Sequence, residues 1–587
     1  MAAFDTRFER TPQGGVRLER LCRMEMAEGG PAGTNGPACV ETIEARFEAD
    51  DFRAERVELG DGRAELEWSV GPLRWISRWQ SDAASGVWSR RDALLNPGDR
   101  PALVTRCFAR FAFPPGRYEA YAQASNWAHE NQGGWQDLRH GRFSMRCQGG
   151  RTTQGGTPYL CLRSKGDGDG IAFHLLPRGN WTILLGAERS AGGDHLPWVT
   201  VELGPDDEWL RLALPPGGRF ELPEILIQPV PEGRPERAAP ALHRYALARI
   251  LPPPRREAPV VYNTWFDVFE HLDVERLRRQ LAAAREIGCE VFTVDAGWYG
   301  AQEGGWFRQA GDWREKPYAA FRGRMAEFAD EVRAAGLGFG LWMEPERCAA
   351  DAPIVKEHPE WFRAGGGGYR HPDLEQPAAY AYLLGEMSRL VRTYRLAWMK
   401  VDFNFELGRD PAALSGYYER WYALLDELRA AHPDLFLEGC ASGGMRSDLN
   451  TLRHFDGHFL SDTVNPCDLL RIAQGALLRL PPGRLGKWAV LRSVGGALAR
   501  HGSPTEKTPE AVVAPGGAGW DDAVATTVDF AARAALSGQF GLSGDLAGLG
   551  EEPRSRLRQS IAFYKRWRAL LANAVAHLLT PIASRED

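Results

Sequence analysis

Long apolar runs are missing from this chain. No window approaches the roughly 18 consecutive apolar residues that a bilayer-spanning helix needs. The opening Met1-Ala-Ala-Phe-Asp-Thr-Arg-Phe-Glu-Arg10 also lacks the apolar centre of a secretory signal. Neither a membrane span nor a leader is expected. Basic blocks are missing as well, and the net charge is only −6 over 587 residues, which argues against a nucleic-acid partner. The nine cysteines are odd in number and scattered, with no C-x-x-C pairing. That excludes a disulfide framework and fits a reducing, cytoplasmic setting. No His-x-His, HExxH or acid–His constellation occurs, so neither a metal nor a cofactor is expected. Gly338-Phe-Gly-Leu341 falls within an apolar run rather than after one, so it does not make a dinucleotide-binding turn.

What is present is ordinary soluble-protein composition, 44% hydrophobic and 25% charged, with 20 tryptophans standing out. Most tryptophans must pack in cores, but an indole face is also a platform for sugar C–H groups. The length allows about two to four domains.

Up to about residue 250, short alternating apolar runs are punctuated by Gly, Pro, Asn and Asp. Ala64–Val70, Ala102–Phe113, Gly170–Leu176 and Trp181–Leu185 are examples, and the pattern predicts an antiparallel β-sandwich over 1–250. Lys165-Gly-Asp-Gly-Asp-Gly170 lacks the later oxygen ligands of a calcium loop and is read as a turn. A helix from about Ala239 to Ile250 leads into Leu251-Pro-Pro-Pro-Arg-Arg256, a stiff run suited to a domain boundary. Beyond it, short strands alternate with amphipathic helices. Strands are predicted at Val260–Trp265, Cys289–Asp295, Gly338–Glu344, Ala397–Asp402, Leu435–Cys440 and Gly457–Asp462, with weaker ones at Trp488–Leu491 and Gly538–Leu542. Eight such units predict a (β/α)8 barrel over 251–575, with a tail at 576–587.

Active sites of such barrels lie at the C-terminal strand ends. Those ends carry Asn263, Trp265 and Asp267; Asp295; Trp342, Glu344 and Glu346; Lys400, Asp402 and Asn404; Glu438 and Cys440; then Asp462. A single terminal carboxylate could cap the following helix, a reading open for Glu346 and Asp267. A ring of acids and tryptophans contributed by several strands suits glycoside hydrolysis, in which two carboxyl groups flank the scissile bond.

Trp398-Met-Lys-Val-Asp-Phe-Asn404 resembles the nucleophile strand of the melibiase-type α-galactosidases, glycoside hydrolase family 36. Tyr262-Asn-Thr-Trp265, Val294-Asp-Ala-Gly-Trp298, Gly311-Asp-Trp313, Gly340-Leu-Trp-Met-Glu-Pro-Glu346, His358-Pro-Glu-Trp361, Gly439-Cys-Ala-Ser-Gly-Gly444 and Leu460-Ser-Asp-Thr463 follow in the family's order. Ala124-Ser-Asn-Trp-Ala-His-Glu-Asn-Gln132 is similar to a segment of its N-terminal supersandwich, a domain expected beside the barrel mouth. The resemblance implies a retaining exo-α-glycosidase acting on small α-glycosides or oligosaccharides, with Asp402 as nucleophile and Asp462 as general acid/base. It also implies that Asp295, Trp265, Trp342, Arg370, Lys400, Asn404, Cys440 and Gly443 hold the sugar. Three positions depart from the pattern. The second strand ends Asp295-Ala296 where two acids are usual, Thr463 stands where the family has an acid, and Val401 replaces a tryptophan. A lost charged hydrogen bond is worth about 1.5–3 kcal/mol, so galactose selectivity is open. Alternatives are an α-N-acetylgalactosaminidase, another α-glycosidase or a transglycosylase, and, from a different class, a non-catalytic sugar-binding protein. The end after Pro581 leaves no room for the family's C-terminal β-sandwich, which is expected to be reduced or absent. A homo-oligomer is left open.

Overall fold

A computed structural model describes the chain except residues 1–5, 12–14, 29–35, 140, 167, 189–195, 301–303, 319, 494–510 and 581–587. The end of the expected tail therefore lies outside the described residues.

The alternating runs of the first part pair antiparallel into two large sheets. One has seven strands and centres on Ala102–Phe113; the other has ten and runs from His129–Leu138 at one edge to Phe52–Gly60 at the other. Their facing side chains, among them Trp75, Phe111, Phe173, Trp181 and Ile183, merge into one core, as the inward half of each alternating strand must. A helix over Pro235–Arg249 follows the last strand of the larger sheet.

Eight parallel strands then close into a barrel. In order they are Val261–Asn263, Val291–Val294, Gly338–Met343, Trp398–Val401, Phe436–Gly439, Gly457–Phe459, Leu485–Ser493 and Gln539–Gly544, the last pairing with the first. The helices between them start where the sequence supplies caps. The side chains of Asp273, Asp410, Asp448 and Asn465 each accept a bond from a backbone N–H of the first turn, and prolines follow two of them at the first helical position. The seventh strand is longer than its sequence pattern implies, and its upper part carries an antiparallel ribbon, Val512–Pro515 with Ala523–Thr526.

Trp265 does not continue the first strand. It opens a one-turn helix, Trp265–Val268, because the strand ends at Asn263, whose side chain accepts from the Trp265 N–H at 2.8 Å. Glu346 and Asp267 do not act as helix caps: both are buried and tied to arginines, Glu346 to Arg446 at 2.6 Å and Asp267 to Arg276 at 2.8 Å.

The sandwich is fastened to the barrel by its outermost hairpin, Tyr118–Asn126 with His129–Leu138. Gln123 donates to the Gly475 carbonyl at 2.9 Å, and Arg479 donates to Gln123 and Asn131. Gly475 lies in the helix Pro466–Ala476, where a Cβ would stand 2.1 Å from the Asn131 carbonyl oxygen. Gly475→Ala should therefore lower the apparent unfolding temperature, since a backbone clash costing about 1–3 kcal/mol outweighs the gain of about 1 kcal/mol in helix propensity. A thermal melt showing an equal or higher midpoint would mean that the joint is not tightly packed.

Candidate active site

At the C-terminal ends of the barrel strands lies a cleft of about 610 Å³. Asp295, Lys400, Asp402, Asn404 and Asp462 line it, with Trp265, Trp306 and Trp342 as aromatic walls. The period of two along the fourth strand carries Lys400 and Asp402 to the same side, as the sequence pattern requires.

Asp402 is buried, and its two carboxyl oxygens collect four hydrogen bonds. Phe403 N–H donates at 2.7 Å and Ser442 N–H at 3.2 Å to one oxygen. Asn404 Nδ2 donates at 2.9 Å and Trp342 Nε1 at 3.1 Å to the other. Burial alone would push this carboxyl up. The charge of Lys400 and the hydrogen bonds from Asn404 and Trp342 outweigh it and hold Asp402 below the usual aspartate value of 3.8. Lys400 is not paired directly with Asp402: its ammonium sits 3.2 Å from Asp295 and over the rings of Trp488 and Phe459. Asp295 is oriented in turn by Asn263 Nδ2 at 2.6 Å.

Asp462 follows the sixth strand and behaves in the opposite sense. Its removal from water and the nearby negative charge of Asp402 push it up to about 6. Glu438, on the fifth strand beneath the cleft and bonded to Trp398 Nε1 at 3.1 Å, is pushed up to about 7 by burial. Near one buried lysine, Asp402 is thus held down while Asp462 and Glu438 are pushed up. Among the described residues, no group of three His, Cys, Asp or Glu side chains is arranged to hold a metal ion.

Of the remaining residues inferred from the sequence, Trp265 stands edge-on to Trp306 at 5.6 Å and Trp342 stacks on Tyr299 at 5.7 Å. Cys440 is buried behind Asp402, its thiol pushed well up by burial and the Asp402 charge. Gly443 has φ +74°, and a Cβ there would meet Asp462 N at 2.6 Å, so only glycine lets this loop pass beside the sixth strand's end. Arg370 does not line the cleft. It belongs to a two-stranded ribbon, Phe362–Ala364 with Arg370–Pro372, and its guanidinium donates to the neighbouring Tyr369 carbonyl. The arginine that does line it is Arg151 from the sandwich, which donates to Ser442 Oγ at 2.8 Å; Ser442 Oγ donates to Asn404 Oδ1 at 2.8 Å. Nothing in the strand-end pattern points to a residue from another domain.

Three further groups come from the sandwich hairpin. Trp127 Nε1 donates to Asp462 Oδ2 at 2.7 Å. Thr463 Oγ1 donates to the Ala128 carbonyl at 2.7 Å. Glu130, fully buried, accepts from Ser461 Oγ at 2.6 Å, and Gly444 N–H approaches its other oxygen at 3.4 Å. No ion pair to Glu130 forms among the described residues. Burial chiefly, with the charge of Asp462 adding, pushes it up to about 8, so it is a neutral acid at neutral pH. A carboxyl raised by folding stabilises the protein at low pH and loses that contribution as pH rises through 8. Glu130→Gln, which keeps the shape but has no proton to lose, should therefore melt progressively higher relative to the wild type between pH 5 and pH 9. A constant difference in melting temperature across that range would show that Glu130 is charged throughout.

The melibiase family model matches residues 220–521, just over half of the chain. The α-galactosidase AgaA of Geobacillus stearothermophilus is 24% identical over 574 residues, covering 93% of this chain and 73% of that protein. An α-galactosidase of Escherichia coli is 25% identical over 533 residues, 87% of this chain and 70% of its own length. The crystal structure of the AgaA enzyme superposes over 99% of this chain and 88% of its own with a TM-score of 0.80 at 18% identity. A variant of it in complex with raffinose does so over 98% and 87%, again at 0.80 and 18%. The barrel and the two-sheet domain are thus held in common with these structures, and the chain belongs to the melibiase family.

Proposed function

We propose that this protein is a retaining exo-α-glycosidase that releases terminal α-galactosyl units through a glycosyl–Asp402 intermediate. The observation that carries the reading is the split between two aspartates on one cleft: Asp402 is held ionised by four hydrogen bonds and a buried ammonium, while Asp462 is held protonated to about pH 6. That is the division of labour a two-step displacement needs. In the first step an Asp402 oxygen bonds the anomeric carbon as the glycosidic bond breaks, and the Asp462 proton passes to the departing oxygen. In the second, Asp462 takes a proton from water, water bonds the anomeric carbon from the other face, and the ester to Asp402 breaks with the α configuration restored. Arg151, Asn404, Trp265 and Trp342 would hold the sugar. Similarity to enzymes named α-galactosidases, one solved with raffinose, supports galactose as the sugar.

A second reading, an α-glycosidase of different sugar preference such as an α-N-acetylgalactosaminidase, is favoured by Ala296. This residue lines the cleft at the position where the family pattern that the sequence resembles has an acid. Aryl glycosides of galactose, glucose and N-acetylgalactosamine, compared by kcat/KM, separate the two. The proposal takes residues 1–250 as the sandwich and 251–575 as the catalytic barrel. Eight of the nine free cysteines are buried thiols, which supports a reducing, cytoplasmic setting. No helix of the described residues is long and apolar enough to cross a membrane.

Asp402→Ala should cut kcat by about 10³-fold or more on an aryl α-galactoside, and azide should restore turnover by forming the β-galactosyl azide. Absence of rescue with activity lost would remove Asp402 from the nucleophile role. The pH profile of kcat/KM should be bell-shaped. Its basic limb should lie near pH 6, where Asp462 loses its proton, and its acid limb below 3.8, where Asp402 gains one. A basic limb that persists unchanged in Asp462→Asn would reassign the acid.

A further inference from the structure

The hairpin that enters the barrel mouth from the sandwich ends in a two-residue tip, Trp127-Ala128, flanked by the paired Asn126 and His129. Ala128 has φ +59°, the left-handed backbone that a tip this tight demands. Trp127 lines the cleft and is still 52% exposed. A single exposed indole is ordinary at a protein surface, but this one leaves a large apolar face open to the cleft.

The tip is also held unusually firmly for an exposed loop. Asp462 accepts its indole N–H at 2.7 Å, Thr463 Oγ1 grips the Ala128 carbonyl at 2.7 Å, and Glu130 is buried against Ser461 at 2.6 Å. Further along the hairpin, Arg479 and Gln123 tie it to the helix after the sixth strand. Three consecutive residues of one barrel strand end, Ser461, Asp462 and Thr463, thus each hold one residue of the hairpin. The ring is immobilised before any ligand arrives, which lowers the entropy cost of stacking on it.

Its location dictates what it can touch. The general acid hands its proton to the oxygen that leaves with the aglycone, so the aglycone must lie on the Asp462 side of the scissile bond. The exposed aromatic surface bonded to that carboxyl is Trp127. We propose that Trp127 is the platform of the leaving-group subsite, stacking on the apolar face of the sugar to which the released unit is joined, so that the tip of a sandwich hairpin reads the aglycone. The inference rests on the retaining-glycosidase reading above. It assigns Thr463 a part as well: where the family pattern has an acid, this chain has a hydroxyl that carries the hairpin tip.

The indole N–H does a second thing. A donor to Asp462 favours its ionised form, so it opposes the burial and the Asp402 charge that keep the proton on. Platform and donor can be separated, because phenylalanine keeps a ring and has no N–H.

The test compares two substrates on the full-length protein: raffinose, whose aglycone is a sugar and needs protonation, and α-galactosyl fluoride, whose leaving group is neither. Trp127→Ala should lower kcat/KM on raffinose about 30-fold or more, mostly through KM, with a loss on the fluoride at least about tenfold smaller. Trp127→Phe should hold the raffinose KM within about 3-fold of wild type and move the basic limb of the pH profile upward. Equal losses of Trp127→Ala on both substrates, or no loss on raffinose, would overturn the subsite. Wild-type protein inert on both substrates would instead count against the glycosidase reading itself.

Discussion

One buried ammonium organises the barrel mouth. Lys400 is 3% exposed on a strand flanked on both sides by other strands, with Asp295 at 3.2 Å and Asp402, Glu438 and Asp462 within its field. A single positive charge cannot sustain four neighbouring anions in a region poor in water. Asp295 takes the ion pair and Asp402 takes four hydrogen bonds. Glu438 and Asp462, buried and with fewer compensating partners, are pushed up to about 7 and about 6. The acid and the nucleophile are thus made different by burial without compensation at Asp462 and by the Lys400 charge and hydrogen bonds at Asp402. Without Lys400, Asp402 would have to carry its charge on hydrogen bonds alone, and the contrast between the two aspartates would narrow.

The second constraint is the joint between domains. The outer hairpin of the sandwich is bonded to Ser461, Asp462 and Thr463, and its neighbours Arg151 and Thr153 reach the loop Ser442–Met445. That loop supplies the Ser442 N–H to Asp402. The sandwich therefore touches the supports of both aspartates, which stand on different strands, and helps set the spacing between them. Placing these contacts in a separate domain makes the site sensitive to the domain joint, where Gly475 and Asn131 meet without room for a Cβ.

The departures from the family pattern acquire a physical meaning only here. Thr463 is not an empty substitution: its hydroxyl anchors a backbone carbonyl of the hairpin. Ala296 lines the cleft together with Phe266, Phe269 and the ribbon tip Ala518-Gly519. The same cleft is lined by the polar side chains of Asp295, Lys400, Asp402, Asn404, Arg151 and Asp462.

Much of this was legible in the sequence because it depends on short-range periodicity. The period-two placement of Lys400 and Asp402 and the run of strand and helix patterns predict the barrel and its acidic end. The sequence pattern locates even the short strands, but it carries the first of them two residues past its end at Asn263 to Trp265, since a strand and a one-turn helix look alike over three or four positions. What periodicity could not carry is any pairing across domains. Arg370 and Arg151 are equally plausible as arginines in a sequence, and only the packing of the sandwich against the barrel puts Arg151 at the cleft and leaves Arg370 on a ribbon outside it. The protonation of Glu130, Glu438 and Asp462 likewise depends on burial and on charges brought together from distant segments. Local order along the chain determined the scaffold and the candidates; their electrostatics and their partners were decided by tertiary contact, because a carboxyl's proton affinity is a property of everything around it.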